Sequence, residues 1–228
     1  MKKSFWKYFF GGVLLLAVSF LIYVEIVNRN THHMTYRQKF LKAVYPVWIW
    51  FTKITGTNTQ HAVNEKAAPS VSFYSLQNKL NDGSEFDFNA LKGKKVLLVN
   101  TASDCGYTNQ YADLERLYRQ YQSQLLILAF PANDFKEQEK GDDASIASFC
   151  KMNYGINFPL MQKSVVIKTA SQNPVFKWLT DASLNGWNNE APNWNFCKYL
   201  VDENGKLTHV WGPSVVPFAP DIINAINQ

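Results

Sequence analysis

VLLVNTASDCGYTNQYADLERLYRQY, Val96 to Tyr121, is the stretch on which the reading of this chain turns. Val96 to Asn100 is aliphatic and β-branched and reads as a buried strand, and a small polar turn ends it. Beyond a single cysteine, Tyr111, Leu114, Leu117, Tyr118 and Tyr121 fall on one helical face, with Glu115 and Arg119 as an i,i+4 pair on the outside. The same alternation continues downstream. LLILAF, Leu125 to Phe130, is a second buried strand; Ile146, Phe149 and Cys150 mark another helix; and Pro174 opens a third. Asn81-Asp82-Gly83 turns one hairpin, and Asp202-Glu203-Asn204-Gly205 turns another within Phe196 to Trp211. Strands alternating with helices of this length predict an α/β layer fold around a mixed central sheet.

The charge is divided unevenly over the 228 residues. Residues 1–66 hold nine Lys and Arg against Glu25 and Glu65, a net of +7. Subtracted from the chain's 23 bases and 18 acids, this leaves 14 against 16 for the rest, a net of −2. The basic balance therefore belongs to the N-terminal segment, and with no basic stripe beyond it a nucleic-acid partner is not expected. Between Tyr8 and Val24 the chain is essentially uncharged and bounded by Glu25 and Arg29, close to the ~20 residues a helix needs to cross a bilayer. Residues 1–30 thus read as an uncleaved membrane anchor, the alternative being a signal peptide cut near Ala17 and Ser19. In 31–68, the run Ala43 to Phe51 is too short to span and rich in Trp and Tyr with lysines on both sides. That suits a segment lying at the membrane interface; a linker packing its aromatics on the domain is the other reading. Asn58 to Ser70 reads as the boundary before a globular unit at 69–228.

Three cysteines, Cys105, Cys150 and Cys197, make an odd number with no CxxC pair and no metal-ligand spacing to the four histidines. Neither a disulfide framework nor a metal site is expected. Cys105 lies between the strand and the helix of the opening stretch, where unpaired N–H groups and the helix dipole would lower a thiol pKa. Position alone leaves two readings open, an activated thiol or a small buried core residue. A thioredoxin-type pair would need a second cysteine at Thr108.

Four blocks narrow the choice: VLLVNTASDCGYTNQY, LAFPANDFKEQEKG, FCKMNYGINFPL and WNFCKYLVDENGKL. In order and spacing they resemble the glutathione peroxidase family, and the similarity runs from Val71 to the C-terminus. The resemblance implies a thioredoxin-like fold and thiol-dependent reduction of hydrogen peroxide and organic or lipid hydroperoxides, with no bound cofactor and glutathione or thioredoxin as co-substrate. It places the peroxidatic residue at Cys105, in its cysteine rather than selenocysteine form, with Gln138, Trp194 and Asn195 as its partners. These are neutral donors that can hold a sulfur anion without titrating near pH 7. The alternative is a peroxide-sensing or binding protein on the same fold with little turnover.

The second block departs from the family's Phe-Pro-Cys-Asn-Gln-Phe at Ala132 and Asp134. The family's resolving cysteine aligns with Lys151, one residue from Cys150, and Cys150 shares the apolar stripe of its helix, so a buried structural role is expected for it. Cys197 would face the same way as Asn195 if the strand has already begun. A one-cysteine cycle closed by an external thiol follows. The segment Leu179 to Trp194 is short, where tetrameric relatives carry an insertion, so a monomer is expected. A short anchor joined directly to the domain suits a bacterial inner membrane, and Lys2, Lys3 and Lys7 favour an N-terminus inside with the domain on the periplasmic side, although Arg29, Arg37, Lys39 and Lys42 pull the other way.

Overall fold

A computed structural model describes residues 2–64 and 66–228. Two helices come first, α1 (Lys2–Val27) and α2 (Tyr36–Thr55). They are followed by β1 (His61–Val63), the hairpin strands β2 (Gln77–Lys79) and β3 (Glu85–Asp87), β4 (Lys95–Thr101), α3 (Gln110–Tyr121), β5 (Leu125–Pro131) and α4 (Asp143–Tyr154). Next are the short helices α5 (Pro174–Leu179) and α6 (Ala182–Asn185), then β6 (Lys198–Val201), β7 (Leu207–Trp211) and α7 (Pro220–Asn227).

The central sheet runs β1-β7-β6-β4-β5. β4 pairs parallel with β5 and antiparallel with β6, so it is hydrogen-bonded on both edges and buried along its whole length. Its alternating side chains feed two cores. Leu97 and Val99 join α3, α4 and α7; Val96 and Leu98 join Phe73, Phe88 and α5. A mixed sheet between helical layers is what the sequence predicts. The hairpins at Asn81-Asp82-Gly83 and at 202–205 are present as β2–β3 and β6–β7.

Two details depart from the sequence reading. Glu115 does not lie outside: it is 4% exposed and accepts from Arg119 Nε at 2.6 Å, from Asn157 N at 2.8 Å and from Asn157 Nδ2 at 2.6 Å. A carboxylate can be buried there because the loop after α4 brings donors to it. Residues 58–70 supply β1, which pairs with β7 in the register His61 to Trp211. Three exposed residues carry no periodicity by which to recognise it.

The aromatic segment of 31–68 forms most of α2. Thr35 caps it through a capping box with Gln38, and Gly56 ends it in the left-handed conformation at φ 66°. One face of α2 buries Ala43, Tyr45, Ile49 and Thr52, with Tyr45 and Ile49 in the same core as Leu97 and Tyr111. The other face leaves Val47, Trp50, Phe51 and Ile54 exposed. The end of α1 packs on the start of α2 through Phe20 against Phe40 and through Lys39 Nζ to Glu25 at 3.2 Å. Within α1, Trp6–Val27 is long and apolar enough to cross a membrane.

Candidate active site

Cys105 sits in the loop joining β4 to α3. Thr108 closes that loop into a ring, accepting from Cys105 N at 3.0 Å and donating to Ala102 O at 2.8 Å. The fold returns the Tyr107 N–H to Cys105 Sγ at 3.4 Å, while the Tyr107 hydroxyl reaches Ser214 Oγ at 2.7 Å. The sulfur is held in place and almost sealed, at 1% exposure.

Burial also runs against the expectation that the helix mouth lowers the thiol pKa. α3 begins five residues beyond Cys105, too far for its first turn to dominate, and desolvation pushes the thiol up to about 11. The Tyr107 N–H, the Trp194 and Asn195 side chains and the Arg37 charge pull it down without overcoming that penalty.

All four residues singled out from the sequence meet here. Trp194 and Asn195 come from the loop before β6, and their side chains lie close enough to the sulfur to lower its pKa. Asn195 Nδ2 also donates to Gln138 Oε1 at 3.1 Å, so Gln138 reaches the thiol through Asn195. Asn195 is fully buried, and its Oδ1 has no hydrogen-bond partner among the described residues. That leaves one acceptor free beside the sulfur.

Asn100, at the end of β4, is a site residue that sequence reasoning missed. Its Nδ2 donates to Trp194 O at 2.9 Å, its Oδ1 accepts from Cys197 N at 3.0 Å, and its backbone carbonyl accepts from Phe196 N at 2.6 Å. One buried amide thus clamps the Trp194–Cys197 loop and holds Phe196 in the left-handed region at φ 72°, where a non-glycine residue is disfavoured by roughly 1–2 kcal/mol. The only sequence signal was an amide at the end of an otherwise apolar strand.

The Gln138 loop is tied to the Cys105 loop in two places. Gln138 O accepts from Asp104 N at 3.0 Å, and Glu139 Oε2 accepts from Ser103 N at 2.8 Å and from Ser103 Oγ at 3.0 Å. Burial raises the Glu139 carboxyl to about 7, against those two bonds and the Lys163 charge, which lower it. A carboxyl whose folded-state pKa lies above its unfolded value lends stability that is complete below about pH 4.5 and lost as pH rises through about 7. Glu139→Gln keeps the acceptor and removes the titration. Thermal melts across pH 4.5 to 8 should therefore show the variant gaining on wild type by about 1–3 kcal/mol as pH rises. Parallel pH profiles would contradict this.

The other cysteines are free and buried. Cys150 is fully buried in α4 near Tyr111, and burial lifts its thiol to about 12. Cys197 does not share a face with Asn195. The strand begins only at Lys198, and the left-handed turn at Phe196 sends Cys197 into the opposite core, beside Phe130 and Tyr199, its sulfur 3.4 Å from Trp194 O. Lys198 is buried behind the site, donating to Gln110 Oε1 at 2.5 Å, Val215 O at 2.6 Å and Pro213 O at 3.2 Å. Burial lowers its ammonium to about 7.

The comparisons concern the family and the fold. The pattern of the family described as Glutathione peroxidase matches residues 73–180. The Saccharomyces cerevisiae protein named glutathione peroxidase-like peroxiredoxin 2 is 41% identical over 153 residues, 67% of this chain and 94% of that protein. A glutathione peroxidase homolog of Staphylococcus aureus is 41% identical over 145 residues, 63% of this chain and 90% of its own length. Among solved structures, Trgpx in apo form superposes with a TM-score of 0.53 at 33% identity, over 70% of this chain and 97% of that one. A thioredoxin family protein from Chlorobium tepidum, at 18% identity and a TM-score of 0.50 over 72% of this chain and 95% of its own, shares the fold alone.

Proposed function

Because the chain belongs to the glutathione peroxidase family and is, by that membership, a thiol-dependent peroxidase with a thioredoxin-like fold, we propose that Cys105 is its peroxidatic nucleophile and that Trp194, Asn195 and Gln138 are its donors. The observation that supports this best is the convergence on one buried sulfur of Trp194, Asn195 and, through Asn195, Gln138, drawn from separate loops. The Cys105 thiolate attacks one oxygen of the hydroperoxide, the O–O bond breaks, and the thiol's proton ends on the departing alcohol or water. Trp194 and Asn195 stabilise negative charge first on sulfur and then on the leaving oxygen. Asn195 Oδ1 is free to accept the peroxide O–H. The resulting sulfenic acid condenses with one external thiol, releasing water, and a second thiol displaces Cys105 as a disulfide forms between the two.

The cycle uses one cysteine, since Cys150 and Cys197 are buried in the cores and Cys197 faces away from Cys105. With one equivalent of peroxide and no added thiol, disulfide mapping by mass spectrometry should find Cys105 as sulfenic acid or more oxidised. A bond from Cys105 to Cys150 or Cys197 would overturn the one-cysteine scheme.

In this reading 1–30 anchors a monomer to the bacterial inner membrane, 31–68 lies at the interface, and 69–228 is the catalytic unit on the periplasmic side. The apolar span of α1 and the exposed aromatic face of α2 support it. Tethering raises the effective concentration of lipid hydroperoxides at the site. Full-length protein in liposomes, assayed with glutathione and thioredoxin systems side by side, should reduce peroxidised phospholipid as well as hydrogen peroxide. Reduction of hydrogen peroxide alone would sink the lipid assignment. Rapid oxidation of Cys105 with no turnover under either thiol would favour a peroxide sensor.

A further inference from the structure

α2 lies upstream of the residues the family pattern matches, yet it is built onto the thiol loop. Arg37 Nη1 donates to Asp104 O at 2.9 Å and pairs with the Asp104 carboxylate, and Gln38 Nε2 donates to Ser103 O at 3.1 Å. The two carbonyls belong to the two residues immediately before Cys105. Gln38 does double duty, because its Oε1 accepts from Thr35 N at 2.8 Å and completes the helix cap. Farther along, Lys42 lies over the Tyr154 ring of α4, and the Trp48 ring sits 6.2 Å from Tyr107. Just ahead of α2, His32 and Asn153 exchange two hydrogen bonds, at 2.8 and 3.1 Å.

Between this roof and the sulfur almost no space remains. The gap bounded by Met34, Gln38 and Leu41 above and by Cys105 and Phe149 below measures about 10 Å³, room for one water at most. A neighbouring groove of about 460 Å³ reaches Gln138 and is walled by His32, His33 and Gln38, but Cys105 does not line it. A lipid hydroperoxide, or a peptide thiol arriving to reduce the sulfenic acid, cannot meet the sulfur while the roof is down.

The helix is built unequally along its length. Its second half is held by Tyr45, Ile49 and Thr52, all buried. Its first two turns meet the thiol loop through Arg37 and Gln38 and otherwise rest on α1, through Phe40 and Lys39, and on Tyr154, through Lys42; the Arg37 side chain is 53% exposed, where an ion pair is worth roughly 0.2–1 kcal/mol. Pro46 lies near the junction, where it removes one helical hydrogen bond and weakens the helix against bending.

We propose that Arg37 and Gln38 are positioning residues of the thiol site, and that they latch the first turns of α2 as a roof deciding which reagents reach Cys105 by size. This rests on Cys105 being the reactive thiol. Its test needs no peroxidase activity. Full-length protein is alkylated with iodoacetamide or with a fluorescein maleimide, and the rate at Cys105 is followed by mass spectrometry of its peptide. The ratio of bulky to small reagent cancels the thiolate fraction, so it responds to access and not to pKa.

In Arg37→Gln and in Gln38→Ala the ratio should rise by about five- to ten-fold, as expected for losing hydrogen bonds at a half-exposed contact. Arg37→Lys, which keeps the charge but not the fork, should fall between. A ratio unchanged in both variants would overturn the roof, and if Arg37→Gln does not fold, Gln38→Ala alone decides. A protein that alkylates as described but reduces no peroxide would leave the roof standing and sink the catalytic reading.

Discussion

Replacing Cys105 with serine should lower peroxide turnover by about three orders of magnitude or more with every thiol supplied. Serine keeps the shape of a side chain that is 1% exposed and retains an acceptor for the Tyr107 N–H. What it loses is chemical: an alcohol is a poor nucleophile at neutral pH and cannot pass through a sulfenic acid. Steady-state assays of wild type and Cys105→Ser, with circular dichroism to confirm an unchanged fold, measure the difference. Residual turnover above about a tenth of wild type would move the nucleophile to another residue, a result of about 1.4 kcal/mol where more than 4 is expected.

Asn195→Asp should be the next most damaging change and worse than Asn195→Ala. Asn195 is fully buried, donates to Gln138 Oε1 at 3.1 Å and lies near enough to the sulfur to lower its pKa. Alanine removes a donor from the developing anion, a loss of about 10²–10³ in rate where such donors have been deleted. Aspartate nearly preserves the volume but sets a carboxylate against both the thiolate and the Gln138 carbonyl oxygen. It raises a thiol pKa already pushed to about 11 by burial, or else stays protonated at a cost in stability. In pH-rate profiles of Cys105 alkylation the Asp variant should be displaced to higher pH than wild type. Coincident profiles would show that Asn195 does not touch the reacting sulfur in solution.

Much of the catalytic unit was legible along the chain because its signals are local. The aliphatic run of β4, the helical period of α3 and the Asn-Asp-Gly turn each depend on residues within a few positions. Glu115 was misread for the opposite reason. An acid four residues from an arginine on a helix looks solvated unless one knows that Asn157, 42 positions away, donates twice to it. Cys197 would share a face with Asn195 only if the strand had begun, and that condition fails: β6 starts at Lys198, and Phe196 breaks the alternation with a left-handed turn that leaves no mark on composition.

By itself the sequence determined the layered fold and the family, and it singled out the candidate cysteine and the residue types around it, since those follow from short-range periodicity and from four blocks in register. Only the tertiary structure decided how the thiol is set: sealed, desolvated, clamped through Asn100 and covered by a helix from outside the family domain. Burial and hydrogen-bond geometry are sums over neighbours far apart in the chain, so the pKa of Cys105 and the access to it exist only once those neighbours have been brought together.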